Sequence, residues 1–341
     1  MTESASVIDR LLTSDEPSIR WKTRVHVLGE SETSRPVRAL QKEIRHSSRV
    51  NALLSARDSA GRLVHGRDVY DKWRGAHWVL ASLADIGYPR GDRSLLPVRD
   101  QLMEFWLDKG RFYEEFEVKT KAASYRKRGV PVLDGRHRRC ASQQSSALLS
   151  VLKLGIGDRR TGDLVERLLH WQWPDGGWNC DRSPTAHNSS FMESILPLRA
   201  LSLVAQTTAN SAAQTAARRA AEIFLKRKLF RRRSDGGVMR AEFAALHYPL
   251  YWHYDILAGL KAMAEAGFIQ DPRCNDALDL LESKRLPDGG FPAERRYYST
   301  TKKSGSGVEW VDWGRAAKRK ENEWVTVDAL AVLRAAGRPL A

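Results

Sequence analysis

The chain has 341 residues, 42% of them hydrophobic, and eleven tryptophans, enough for a sizeable core. It shows no run of 18 apolar residues and no charged-then-apolar leader, so a transmembrane segment is not expected and a cytoplasmic location is. The three cysteines (Cys140, Cys180, Cys274) are odd in number and lack CxxC spacing, which argues against a disulfide framework, and the net charge of +15 suits polyanions or anionic substrates such as diphosphates.

In chain order, Pro17 follows Ser14-Asp15 as a helix start and Gly29 closes that helix. Apolar stripes of helical period then recur over 73–86, 95–107, 147–154, 164–173, 195–205, 212–225, 256–266, 277–281 and 325–335. The period-2 signature of strands is nearly absent, so the chain reads as all-α. Basic residues cluster between the stripes, at 119–139, 226–233 and 315–320.

The punctuation repeats. PDGGW (174–178), SDGGV (234–238) and PDGGF (287–291) place aspartates 60 and 53 residues apart, with a looser LDGRH at 133–137. Midway between lie LADIGYPRGDR (83–93), VLKLGIGDRR (151–160) and MAEAGFIQDPR (263–273), each a helix ending in Gly, a link, and Asp before the next helix. Gly past a helix end takes the left-handed conformation, and Asp accepts from the unpaired N–H groups of the helix that follows. Such a period marks an array of helical hairpins filling 61–341, with residues 1–60 packing on it or completing it.

One turn resembles a known motif. QWPDGGW (172–178) is similar to the QxxxGxW repeat of squalene–hopene and oxidosqualene cyclases, and YWHYDILAGLKAM (251–263) is similar to an inner helix of protein prenyltransferase β subunits. The other turns depart from it, with Arg233, Ser234 and Leu286 near the position of the glutamine. The resemblance covers about residues 70–336 and implies an α/α toroid, an (α/α)6 barrel of six inner and six outer helices, whose inner helices begin just after the DGG turns. Four segments would then meet at one mouth: 136–144, 178–191, 246–255 and 308–324.

Those segments supply the candidates. Asp255, with His253 as partner, and Asp181 are candidate acid/base groups, because burial raises a carboxyl pKa toward useful values; the competing reading is a helix-end or arginine partner. His137, Trp178, Cys180, His187, Tyr251, Trp252, Tyr254 and Trp324 are candidate substrate contacts, with Trp171 and Trp173 as wedges. Cys180, Asp181, His187 and His253 are zinc-type ligands. The prenyltransferase resemblance, however, puts His187 at the cysteine ligand, Thr185 near the aspartate, and His253 one residue off the histidine. DxDD, the acid motif of the cyclases, is absent.

Three functions follow as expectations. The first is an enzyme acting on an isoprenoid or other hydrophobic substrate, with an anionic head, in a central cavity, with 119–139 as a flap. The second is a helical array binding nucleic acid or protein, suited by the charge but lacking a basic helix face with interleaved aromatics. The third is a glycan-active toroid using paired carboxylates, Asp181 with Glu193 or Asp255. A deep apolar chamber would favour the first, a shallow polar cleft the third.

Overall fold

Short polar side chains open the helices. In the computed structural model, which describes residues 6–64, 68–302 and 305–340, Ser6, Glu16, Ser34 and Ser47 each accept a backbone N–H of the helix they precede. These start α1 (Val7–Leu12), α2 (Pro17–Lys22), α3 (Arg35–Arg45) and α4 (Ser48–Leu53); a π-helical turn, Thr23–Leu28, extends α2 to Gly29 at φ +76°. There follow α5 (Ala76–Asp85), α6 (Leu96–Trp106), α7 (Lys109–Phe112), α8 (Ala141–Lys153) and α9 (Arg160–His170). The last are α10 (Phe191–Thr208), α11 (Ser211–Leu225), α12 (Ile256–Glu265), α13 (Asn275–Glu282) and α14 (Glu323–Ala335).

Both repeated signals take the conformations their residues favour. Gly87, Gly155 and Gly267 end inner helices at positive φ, and Asp92, Asp158 and Asp271 each accept a backbone N–H two residues on. In the turns that lead back inward, Gly176, Gly236 and Gly289 have φ of +103°, +71° and +85°. Each preceding Asp accepts from the N–H of the following Gly. A Cβ on Gly176 would stand 2.6 Å from the Arg219 carbonyl oxygen, so Gly176→Ala should cost more than about 1 kcal/mol in urea denaturation.

The result is an α/α toroid. Around the inside, α5 packs on α8, α8 on α10, α10 on α12, α12 on α14, and α14 on α2 and its π-helical turn. The circuit continues from α2 to α5 through Lys22–Asp85 and through Trp21, which lies against Gly87. Outside, α3, α6, α9, α11 and α13 pair with α2, α5, α8, α10 and α12. Helix α1 sits beside the last DGG turn, with Arg10 donating to the Asp288 carbonyl at 3.0 Å and to Glu321 at 3.1 Å. Gln172 clamps its own turn to the next outer helix: its amide donates to Gly176 O (2.8 Å) and Ala216 O (2.9 Å), and its oxygen accepts from Arg219.

One element departs from the all-α expectation. Residues 115–137 form a small sheet in the order β1 (Glu115–Glu117), β2 (Val130–Leu133), β3 (Arg136–His137), β1 parallel and β3 antiparallel to β2. The VPVL strand is buried along its whole length, so it shows no alternation for a period-2 test to find. Lys119, Lys121, Arg126, Lys127 and Arg128 of the same segment are exposed. The segment is held to the loop before α10 by Arg138, which donates to Asp181 O and Ala186 O, and by Arg182, which donates to Ser124 O.

Candidate functional site at the ring mouth

The axis of the ring is filled with charge, and all six inner helices contribute: Lys22 (α2), Asp85 (α5), Lys153 (α8), Arg199 (α10), Lys261 and Glu265 (α12), and Asp328 (α14). Lys22 bridges Asp85 (2.8 Å) and Asp328 (2.9 Å), and Lys261 bridges the same two at 3.0 and 2.7 Å. Tyr248 donates to Asp85 at 2.7 Å. Beside this square, Glu265 receives Lys153 at 2.9 Å and Arg199 at 2.5 and 2.9 Å. Burial by itself would raise the carboxyl groups. Lys22 and Lys261 outweigh it at Asp85 and Asp328, as Arg199 and Lys153 do at Glu265, and all three stay below the ordinary carboxylate range. Four cations face three carboxylates, leaving one positive charge in excess.

This hub separates two hollows. Toward the C-terminal ends of the inner helices lies a cavity of about 470 Å³ whose wall includes Lys22, His26, Arg90, Glu265, Asp328 and Arg334. Desolvation within this hollow, then the Lys22 ammonium, lowers the His26 pKa, although the residue itself keeps exposed surface. Toward the mouth lies a cleft lined by Trp78, Tyr248, Tyr251 and Trp313, serines 82, 146 and 150, and the charged Asp85, Lys153 and Arg199. Its volume is about 70 Å³. Tyr251 stacks on Trp73 (3.9 Å between centroids, 3° between planes), and Trp78 meets both rings edge-on.

Behind this wall stands Glu309, 3% exposed. Tyr251 Oη donates to its Oε2, and its Oε1 accepts the Trp310 N–H at 2.9 Å. Burial outweighs these bonds and pushes the carboxyl up to about 7. Residues 308–324 are placed at the mouth by the repeat, yet Glu309 itself belongs to no motif.

The other candidates are spread over several settings. Asp255 is the N-cap of α12 and fully buried; it accepts Ala258 N at 2.8 Å and His247 N at 3.0 Å, and His247 Nδ1 lies 2.7 Å from the same oxygen. The partner of Asp255 is therefore His247 and not His253. Asp255→Ala should cost at least about 1–2 kcal/mol of unfolding free energy through the lost cap, readable in urea melts. His253 is sandwiched by Trp252 (4.2 Å) and Tyr297 (3.7 Å), and burial lowers its pKa to about 3. Trp252 also carries the Lys72 ammonium over its face.

Asp181 is exposed and caps the turn at Ser183 N, and His187 is exposed 3.9 Å from Asp134. His137 Nε2 lies 3.2 Å from Glu115 Oε1, which His170 Nε2 also meets at 2.7 Å. Trp178 is a wedge like Trp171 and Trp173: it is 1% exposed and its indole N–H donates to Leu168 O at 2.9 Å. Tyr254 is buried among Phe191, Phe224 and Phe243 and donates to Leu229 O, and Trp324 stacks on Tyr248. Cys180 lies against Glu193 with Cys140. Tyr251 is thus the candidate that lines the cleft.

The hub carries a sequence signal that belongs to no motif: a charged residue set in an apolar stretch of an inner helix, as in SLADIG, VLKLG, LPLRAL, GLKAM and TVDALAV. No family model and no curated protein matches the chain. Among solved structures it is similar to a protein from Actinoplanes (18% identity, TM-score 0.45, 95% of this chain and 90% of that one). It is also similar to the unsaturated glucuronyl hydrolase of Bacillus sp. GL1 (13%, TM-score 0.43, 93% and 84%). The apo type II terpene cyclase MstE from Scytonema follows (12%, TM-score 0.29, 84% and 97%). These similarities assign no activity and no residue.

Proposed function

We propose that the protein is an enzyme acting on a small anionic organic molecule in the mouth cleft, and that a glycan-active hydrolase or lyase working on uronate-type sugars fits the cleft better than an isoprenoid cyclase or prenyltransferase. The observation that carries this reading is the ionic hub. It occupies the axis that an isoprenoid chain would thread, and on the mouth side it leaves an aromatic-walled cleft with a net positive lining. Two carboxyl groups, Asp85 lining the cleft and Glu309 behind its wall, have environments that drive them apart. Glu309 is poised to hold a proton near neutral pH, and Asp85 stays ionised. That is the division of labour glycoside cleavage uses: a proton for the leaving oxygen and a negative charge facing the developing positive one. Tyr251, which donates to Glu309 Oε2 and lines the cleft, would pass its phenol proton to the leaving oxygen and take the Glu309 proton in its place. Asp255 and His247 are assigned to positioning the mouth loop.

The test is a binding and turnover panel of uronate-terminated disaccharides, prenyl diphosphates and duplex DNA at low salt. Uronates should raise the melting temperature, in line with the roughly 2.7 kcal/mol that a ligand at 100 times its Kd contributes. Stabilisation by prenyl diphosphates with no response to uronates would overturn the reading.

A further inference from the structure

Three residues that the cleft chemistry leaves unused meet beside the mouth. Cys140 is the N-cap of α8, Cys180 follows the DGG turn at 175–177, and Glu193 is in the first turn of α10. All three are half-buried, and one donor atom from each lies within 4.8 Å of the others. Cys180 Sγ is 3.3 Å from Glu193 Oε1, and the Ser142 N–H donates to Oε2 at 3.1 Å. With Zn–S near 2.3 Å and Zn–O near 2.0 Å, tetrahedral geometry sets sulfur and oxygen about 3.5 Å apart, so the observed spacing needs little adjustment.

The Glu193 oxygens meet the Ser142 N–H and hydroxyl and the S–H groups of Cys180 and Cys140. Arg139, next to Cys140, is spent on the Arg111 carbonyl at 2.7 Å and the Phe112 ring. A bound divalent ion displaces the S–H protons, because it stabilises thiolate and carboxylate directly.

We infer that Cys140, Cys180 and Glu193 form a binding site for a soft divalent cation, zinc by its ligand chemistry, with one coordination position open. Thiolates select zinc over magnesium or calcium, and three protein ligands leave the fourth position for water or substrate. Binding releases the two thiol protons, and Zn²⁺ with two thiolates and one carboxylate carries a net charge of −1. The cluster is linked to the cleft wall through Tyr70, which packs on Trp78 (5.1 Å) and hydrogen-bonds Gln143, one turn after Cys140. The Glu115–His137–His170 cluster offers a different ligand set, more exposed, with one carboxylate oxygen already shared by both imidazoles.

The full-length protein is titrated with Zn²⁺ and, separately, Co²⁺. Expected are one zinc per chain after dialysis, a thiolate-to-cobalt charge-transfer band, and loss of both in Cys180→Ser, with Cys274→Ser unchanged. Zinc should also shield Cys140 and Cys180 of the unaltered protein from alkylation, a readout independent of any variant's folding. No stoichiometric zinc, a cobalt spectrum lacking the thiolate band, or unchanged alkylation would each overturn the inference. Because the readouts are metal content, absorbance and thiol reactivity, they stand or fall separately from the uronate panel.

Discussion

Asp328→Ala is expected to lower the unfolding free energy by about 3–5 kcal/mol, the scale for breaking a buried ion pair from one side. Asp328 is 3% exposed and accepts from both Lys22 and Lys261, so its removal leaves two ammonium groups sharing Asp85 alone. The Lys22 side chain is only 2% exposed. Asp85 keeps 29% of its side chain facing the hollows, which softens its own pairs but cannot replace a second carboxylate. Urea denaturation at pH 7 measures the loss. Glu43→Ala, which opens the exposed Arg20–Glu43 pair, serves as the control and should change stability by less than about 1 kcal/mol. The pH dependence has a definite sign. Asp85, Glu265 and Asp328 bind protons less readily in the folded chain than in the unfolded one. Their stabilisation is full above the ordinary carboxylate range and is lost as pH falls below it. Asp328→Ala should flatten that acid limb.

Glu309→Gln should reduce turnover by about 10²- to 10⁴-fold while the fold is kept, because glutamine retains the size and a hydrogen bond to Tyr251 but carries no transferable proton. The parent enzyme should lose kcat/KM as pH rises through about 7, with a slope of one proton, and the variant should lack that limb. Tyr251→Phe removes a bond that favours the carboxylate, so it should move the limb of the remaining turnover upward. Stability behaves oppositely to the hub. The folded pKa of Glu309 lies above its ordinary value of 4.5, so its contribution is full below that value and falls away as pH rises to about 7. The difference is on the order of 3 kcal/mol at 1.36 per unit. Glu309→Gln should therefore be no less stable than the parent at pH 8. Undiminished turnover in this variant would remove Glu309 from the mechanism.

Helices and their stops were legible in the residues themselves. Gly at a left-handed stop, Asp at a helix start and 3.6-residue apolar spacing are local rules, and each acts over one or two turns of chain. The repeat of DGG and Gly–Asp signals then marks stacked hairpins, a spacing that suits an open array as well as a ring; closure was implied by the resemblance of QWPDGGW and YWHYDILAGLKAM to cyclase and prenyltransferase segments. The fully buried VPVL strand escaped because its burial erases the alternation that marks strands.

The chemistry was legible only in part. Residues 308–324 could be placed at the mouth, but nothing local distinguishes Glu309 from any acidic residue, since its raised pKa comes from burial supplied by distant chain. His253 and Asp255 are two residues apart and look paired. The tertiary structure turns His247 to Asp255 and buries His253 between two rings. Cys140, Cys180 and Glu193 are 40 and 13 residues apart, and only the packing of α8 against α10 brings their donors together. The hub shows the limit most clearly. Seven charged residues on six helices each interrupt an apolar face for no local reason. Local sequence determines the helices and their ends because those energies are set within a few residues, whereas charge neutralisation and desolvation depend on which side chains the closed ring brings within about 4 Å.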